Sequence, residues 1–334
     1  MRTFAVVLHY RRSWDTKACL ASLARISSPP FSVLLIDNHS DDGSGDELRE
    51  WIAGGGVRIG RDGWPKERLP TDNLPGGMTG TVSPCGRLLF LSSQENLGFA
   101  GGNNAGIRYA LSNGADHVWL LNSDTVVTRG ALAALLRTAR AHEPVGAVQS
   151  LLLKRGSRRR VDASGQRITR EGVRNDTALP SRAGPWDEGI PVFGACAASA
   201  LYGAKALRDV GAFDEEFFII CEDVDLSFRL RLSGYPVFLS PRSVVFHGAG
   251  ITTPSFAENP VKFYYGYRNE WVVALRYLSA RWFLSPRAIL HAVQAAVAGR
   301  RIGKRFLPFV LRNVPEAFRR RGEKRDLRAK WGAP

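Results

Sequence analysis

The first half of the chain repeats one pattern: a short apolar run, a polar corner, then a stretch with helical spacing. Residues 4–8, 33–36, 88–91, 118–121 and 145–153 are apolar runs of strand length. Residues 16–25, 44–52, 99–111 and 131–141 lie between them and read as helices; in the first, Cys19, Leu20, Leu23 and Ile26 share one side. Ser44 and Glu47 have the S-x-x-E spacing of a capping box, which predicts that they open the second helix. Residues 54–86 are rich in Gly and Pro and predict an irregular insertion. Repeated β-α units of this kind predict an α/β fold, with a mixed, mostly parallel sheet and helices on both faces.

The second half is less regular. Residues 154–191 are polar and basic, with Arg158-Arg159-Arg160, and predict a loop. Residues 193–201 are apolar and small, 223–233 predict a short helix, and 236–239 and 244–246 predict two short strands. Two or three amphipathic helices are expected from residue 261 onward. No repeat of solenoid or propeller length is present.

Charge changes the picture at one end. The 334 residues carry a net +15. Residues 276–334 hold 15 Lys/Arg against Glu316, Glu323 and Asp326, a net of +12, so the rest of the chain is close to neutral. A basic tail on a near-neutral body suits an anionic membrane surface, a phosphorylated acceptor or nucleic acid. No recognised nucleic-acid module accompanies it, and no nucleic-acid partner is expected. Cys19, Cys85, Cys196 and Cys221 show no C-x-x-C spacing, which argues against a zinc knuckle and fits a reducing compartment. Met1-Arg2-Thr3 enters a strand with no cleavage-site pattern, so no leader is expected. The most apolar long window, 282–299, is interrupted by Arg287, His291 and Gln294 and is not expected to span a bilayer. The expectation is a cytoplasmic protein, peripheral at the inner face of the cell membrane.

Several polar corners could carry chemistry. Asp124 follows the apolar run 118–121 in Asn122-Ser123-Asp124-Thr125, where open α/β sheets bind ligands. A carboxylate there can hold a hard cation, which in turn can hold a pyrophosphate, or it can simply cap a helix. Asp37 follows 33–36 in the same way and can accept hydrogen bonds from a base or ribose, or shape a turn with Asn38. Asn96 to Gly106 is a Gly/Asn-rich helix opening that could attract phosphate, although it matches neither the dinucleotide fingerprint nor a P-loop. Glu222-Asp223, with Asp225, follows an apolar segment; one acid can raise the other's pKa and make it a general base, or both can serve a helix N-terminus. His247 ends a strand before Gly248.

In order, these segments resemble the family 2 inverting glycosyltransferases of the GT-A fold, in particular the rhamnosyltransferase-like branch. The resemblance covers roughly residues 3–275. It rests on Asp37-Asn38-His39-Ser40-Asp41-Asp42-Gly43-Ser44, on Asn96-Leu97-Gly98-Phe99-Ala100-Gly101-Gly102-Asn103-Asn104, on Leu121 to Thr125, on Phe217 to Arg229, on His247-Gly248 and on Tyr264 to Asn269. Two positions depart from the family pattern: His9-Tyr10-Arg11 replaces Asn-Tyr-Asn, and Asn122 replaces the first Asp of D-x-D.

The resemblance implies a GT-A (nucleotide-diphospho-sugar transferase, Rossmann-like) catalytic domain over 1–275. Residues 1–125 would bind nucleotide and 126–275 the acceptor, followed by a helical extension over 276–334. It implies that His9, Tyr10, Asp37, Asn38, Asn96, Gly98, Phe99, Gly101, Asn104, Asn122, Ser123 and Asp124 bind the nucleotide sugar. Asp124 and His247 would hold Mg²⁺ or Mn²⁺. Asp223 would deprotonate an acceptor hydroxyl, supported by Glu222, in a single inverting displacement. The implied donor is dTDP-L-rhamnose, with a UDP-sugar as the rival; the acceptor is a glycan or a lipid-linked sugar. The alternative is a catalytically inactive nucleotide-sugar-binding protein.

Overall fold

Strand β1 (Thr3–His9) is buried along its whole length between two parallel neighbours, so it reads as a continuous apolar run and not an alternating one. The computed structural model describes residues 1–169, 172–178, 188–248, 259–278, 282–283 and 285–319. After β1 come α1 (Ser13–Leu23), β2 (Ser32–Asp37), α2 (Ser44–Ala53), β3 (Thr79–Val82), β4 (Leu88–Ser92) and α3 (Gly98–Ser112). Then follow β5 (His117–Asn122), β6 (Thr125–Val127), α4 (Ala131–Ala141), β7 (Ala147–Lys154), β8 (Val161–Ala163), β9 (Gln166–Thr169) and β10 (Gly172–Asn175). The chain continues through β11 (Ile190–Pro191), β12 (Ser199–Gly203), α5 (Ala204–Val210), α6 (Glu222–Leu232), β13 (Val237–His247), α7 (Pro260–Tyr277), α8 (Pro286–Arg301) and α9 (Phe306–Arg319).

The main sheet has the order β11-β13-β7-β12-β5-β1-β2-β4-β3, with β6 on β13 and β8 on β7. Strands β5, β1, β2 and β4 are parallel to one another, as are β7 and β13. Antiparallel β12 lies between the two groups, which leaves all six running the same way. Asp37, Asn122 and His247 therefore reach one carboxyl edge, where open α/β sheets bind ligands. Alternate residues of β1 feed opposite cores. Ala5 and Val7 belong to the buried cluster that contains Leu20 and Leu23 of α1 and Leu132 and Leu135 of α4, while Phe4 and Val6 belong to the one with Ala105 and Ile107 of α3.

Four local expectations are corrected. The capping box does not form: Gly43, at φ +78°, takes the cap position and has no side chain to cap with. Ser44 Oγ instead meets Asp42 and His9, while Glu47 turns to Lys17 and Ser13. The 154–191 segment is not all loop; β8 adds to the main sheet and β9–β10 form a separate hairpin, while residues 170–171 and 179–187 lie outside the described residues. The insertion at 54–86 contributes edge strand β3. The two strands expected at 236–246 are one strand with a register shift between Ser240 and Val244, where Pro241 interrupts the ladder.

Helices α7, α8 and α9 form a further layer. Rings of Phe228 (α6) and Tyr277 (α7) stack at 4.1 Å. Fully buried Asp225 accepts from Arg229, Arg276 and Tyr277, and Arg276 also reaches Asp214 and Asn313 of α9. Arg276, counted above with the basic tail, is therefore a neutralised charge inside the protein, and α7 runs unbroken past residue 275. Arg300, Arg301, Lys304 and Arg305 straddle the turn between α8 and α9; they do not share one helix face. The last part of the basic tail, 320–334, lies outside the described residues.

Candidate active site

Pairing of β6 with β13 sets Thr125 opposite His247, which brings Asp124 beside the imidazole. Nε2 of His247 lies 3.3 Å from Asp124 Oδ1 and its Nδ1 lies 2.8 Å from Asp162 Oδ2. Burial pulls the imidazole pKa down, but hydrogen bonds and charge from the two carboxylates outweigh it and raise it to about 9. Asp124 is correspondingly lowered: burial pushes it up, and the His247 hydrogen bond and charge more than offset this. Gly248 completes the corner, since a β-carbon there would sit 2.9 Å from Asp124 Oδ2. Its N–H donates to the Asp124 carbonyl at 3.1 Å.

Asn122 shows how this corner handles positive charge. Its Nδ2 lies 3.1 Å from His247 Nε2. Its Oδ1 is buried and has no hydrogen-bond partner among the described residues. A buried, unpartnered oxygen beside a carboxylate and an imidazole fits a hard cation, with substrate oxygens and water filling the remaining positions. Among the described residues, no three His, Cys, Asp or Glu side chains form a complete metal cluster. The corner thus suits a cation, either the protonated His247 between its two carboxylates or a divalent ion.

The acidic pair stands next to this corner. Asn122 N–H donates to the Ala198 carbonyl at 3.1 Å, and the adjacent Ala197 N–H donates to Asp223 Oδ2 at 3.2 Å. Gln166 also hydrogen-bonds Asp223. Burial raises the pKa of Asp223. Burial and the neighbouring Asp223 charge raise Glu222 as well, and its Oε2 has no partner among the described residues. The two acids titrate as a pair, and the Ala197 N–H favours the charged form at Asp223.

A strained turn presents the pair. Phe218, Ile220 and Cys221 all have positive φ (61°, 71° and 70°), each an unfavourable conformation for a side-chain-bearing residue. Asn269 of α7 holds them: its Nδ2 donates to the carbonyls of Phe217 (2.9 Å), Ile219 (2.9 Å) and Ile220 (2.6 Å). Arg268 donates to the carbonyls of Glu216 (2.5 Å) and Phe217 (3.2 Å).

The expected nucleotide-sugar residues divide into two groups. Tyr10 is exposed, Ser123 and Phe99 are partly exposed, and Asp37, although mostly buried, lies at the carboxyl edge with its pKa raised by burial. Asn122 and Asp124 are partly exposed in the corner above and Asn96 is exposed, whereas His9, Asn38, Gly98, Gly101 and Asn104 are buried. His9 is fully buried, its ring nitrogens 2.7 Å from Thr16 Oγ1 and 2.9 Å from Ser44 Oγ, and burial lowers its pKa to about 4. Its side chain braces the first turn and does not face a ligand. Asn38 binds Asn96 Oδ1, the Gly98 carbonyl and the Leu97 N–H. Asn104 binds Phe213 through both its N–H and its carbonyl, and also Glu215. Gly98 permits contact with Phe218, which a β-carbon would approach to 2.4 Å, and Gly101 likewise packs on Leu97. The Ala100 N–H already donates to the Phe218 carbonyl. The opening of α3 is thus a brace for the strained acidic turn, and its amide there is not free for phosphate.

Residues 80–272, more than half of the chain, match the family described as glycosyltransferase-like family 2. The chain belongs to this family. It is 25% identical over 284 residues to galactofuranosyltransferase GlfT1 of Mycobacterium tuberculosis, covering 81% of each protein. Among solved structures, it is similar to mannosyltransferase PcManGT from Pyrobaculum calidifontis in complex with GDP-Man and Mn²⁺, at TM-score 0.54 and 14% identity over 99% of this chain and 88% of that one. S. aureus TarS 1–349 in complex with UDP-GlcNAc gives TM-score 0.54 and 14% identity, over 98% of this chain and 92% of that one. The fold is GT-A.

Three residues of this family 2 chain were not singled out as site residues by its sequence. Asp162 stands in a basic segment with nothing to mark it as the partner of His247. Gln166 begins a hairpin strand. Asn269 lay within a recognised Arg-Asn pair, but its hold on the 217–220 carbonyls depends on how α7 packs.

Proposed function

We propose that this glycosyltransferase moves a sugar from a nucleotide-sugar donor to a hydroxyl of a glycan or lipid-linked acceptor, with inversion. The carrying observation is the two-residue bridge Ala197–Ala198, which sets the raised Asp223 carboxylate beside the Asn122–Asp124–His247 corner. Asp223 removes the acceptor proton; Glu222, protonated beside it, keeps the second negative charge out of the site. Asp37 and Tyr10 contribute to nucleoside recognition. Asp124, Asn122 Oδ1 and His247 would hold Mg²⁺ or Mn²⁺, which supplies charge neutralisation for the departing diphosphate. The four cysteines are free, which supports the cytoplasmic reading.

Two donors have separate support. The segment Asn96 to Asn104 favours dTDP-L-rhamnose, and the likeness to GlfT1 favours a galactofuranosyl nucleotide. Purified full-length protein given a panel of nucleotide sugars, with and without divalent metal, should release nucleotide from one of them faster in the presence of acceptor extract. Binding of donors with no release from any would leave a nucleotide-sugar-binding protein.

The Asn269 clamp makes a separable prediction. Asn269→Ala takes this side-chain donor from the Ile219 and Ile220 carbonyls, leaves Phe217 with its other donors, and relaxes the turn that aims Asp223. The expected stability loss is about 1–3 kcal/mol. Turnover should fall about 10- to 100-fold, as expected for lost orientation of a reacting group. Nucleotide affinity, measured by calorimetry, should change little. A fall in affinity equal to the fall in kcat would mean a general loss of structure and not lost aim.

A further inference from the structure

Helix α8 is built inside out. The side chains it buries are mostly small: Ala288, Ala295 and Ala298 pack inward with His291, and Gly299 lets Tyr264 of α7 approach to 3.0 Å from where a β-carbon would stand. Its large aliphatic side chains point away. Ile289, Leu290, Val293 and Val297 on α8, with Leu307 and Leu311 on α9, are 50–62% exposed. The remaining large apolar side chains exposed among the described residues are Met1, Tyr10, Trp14 and Val261, none of them on these helices. A helix packed for water does the reverse, and a clustered apolar surface of this kind marks a binding face.

Charge identifies the occupant. Exposed Arg300, Arg301, Lys304, Arg305 and Arg312 accompany this surface. No Asp or Glu occurs between Glu270 and Glu316. A second copy meeting this face through a two-fold axis would set these cations against each other, which disfavours a dimer. None of the described helices is long and apolar enough to cross a bilayer. Large aliphatic residues and cations without an acidic partner among the described residues match the boundary between acyl chains and anionic headgroups. We propose that α8 and α9 form an interfacial docking face for an anionic lipid surface, with the aliphatic residues entering the headgroup boundary. This concerns binding alone and does not depend on the sugar-transfer reading. Helix α8 packs on α7, the helix that clamps the acidic turn.

The test is flotation of the full-length protein with vesicles of phosphatidylcholine alone or mixed with phosphatidylglycerol. At low salt, the wild type should float with the mixed vesicles at least about tenfold more than with neutral ones. Leu290→Ser with Val293→Ser keeps every charge and should cut flotation about tenfold, with an unchanged circular dichroism spectrum. Replacing Arg300, Arg301, Lys304 and Arg305 by Gln should abolish the preference for anionic lipid. Equal recovery of wild type in the unbound fraction with both vesicles would overturn the proposal. So would full flotation of the serine variant, which would reduce the contact to charge alone. Self-association of the wild type that the serine variant abolishes, without flotation, would assign the face to a second copy.

Discussion

Asp223→Asn should abolish sugar transfer and leave nucleotide binding intact. The amide keeps the shape of the carboxylate and can still meet the Ala197 N–H through its oxygen, so the local fold should survive. It has no basic lone pair for the acceptor proton. Loss of a general base typically costs about 10²- to 10⁴-fold in kcat. Calorimetry with nucleotide and metal should give near wild-type affinity for the variant. The pH profile gives a second reading. Burial raises the Asp223 pKa, so its active, ionised form is lost as pH falls through a value above that of an ordinary aspartate. The acid limb of wild-type kcat should accordingly lie above the pKa of an ordinary aspartate and be missing from any residual activity of the variant. Full turnover by Asp223→Asn would remove it from the base role and leave Glu222 as the group to test.

The second large effect is expected at the opposite side of the site. Asp124→Ala removes the one carboxylate of the Asn122-Ser123-Asp124 corner. Nucleotide affinity should drop about 10- to 100-fold in the presence of Mg²⁺ or Mn²⁺, at least matching the loss of an outer-shell metal partner. In EDTA, the variant and wild type should bind nucleotide equally. The physical reason is that His247 can serve as a metal ligand only after losing its proton. If Asp124 and His247 hold the divalent ion, its binding should release a proton below the His247 pKa of about 9. Calorimetry in buffers of different ionisation enthalpy would detect that release. Wild-type activity unchanged by EDTA would remove the cation from the reaction and leave Asp124 as the partner of a protonated His247.

These expectations draw on two kinds of information. The β-α alternation was legible because buried parallel strands must be apolar on both faces, and each run of residues 4–8, 33–36, 88–91 and 118–121 became a strand. Asp37 and Asp124 were legible for the same reason. An acid that directly follows such a run lies at the carboxyl edge whatever the strand order. Glu222-Asp223 stood out because two adjacent carboxylates at the end of an apolar segment need a partner or a purpose.

Other features depended on residues far apart in the chain. Asp162 meets His247 across 85 positions because β8 and β13 both pair with β7. Asn269 meets the strained carbonyls across about fifty positions through the docking of α7. The Asn96 to Asn104 segment was recognisable as a motif but not as a brace, because its partners Phe213 and Phe218 lie over a hundred residues away. The capping-box reading at Ser44 failed because the left-handed Gly43 took the cap position. The amphipathic pattern of α8 was visible in the sequence, but periodicity shows only that a helix has two faces. Close packing on α7 required small side chains inward, which turned the large ones outward. Local sequence thus determined the strands, the helices and the acids at their ends, since these follow from burial and backbone geometry over a few residues. Tertiary packing alone decided which acids titrate as a pair, which asparagines brace and which could bind, and which side of the last helices meets the outside, because each depends on contacts between distant parts of the chain.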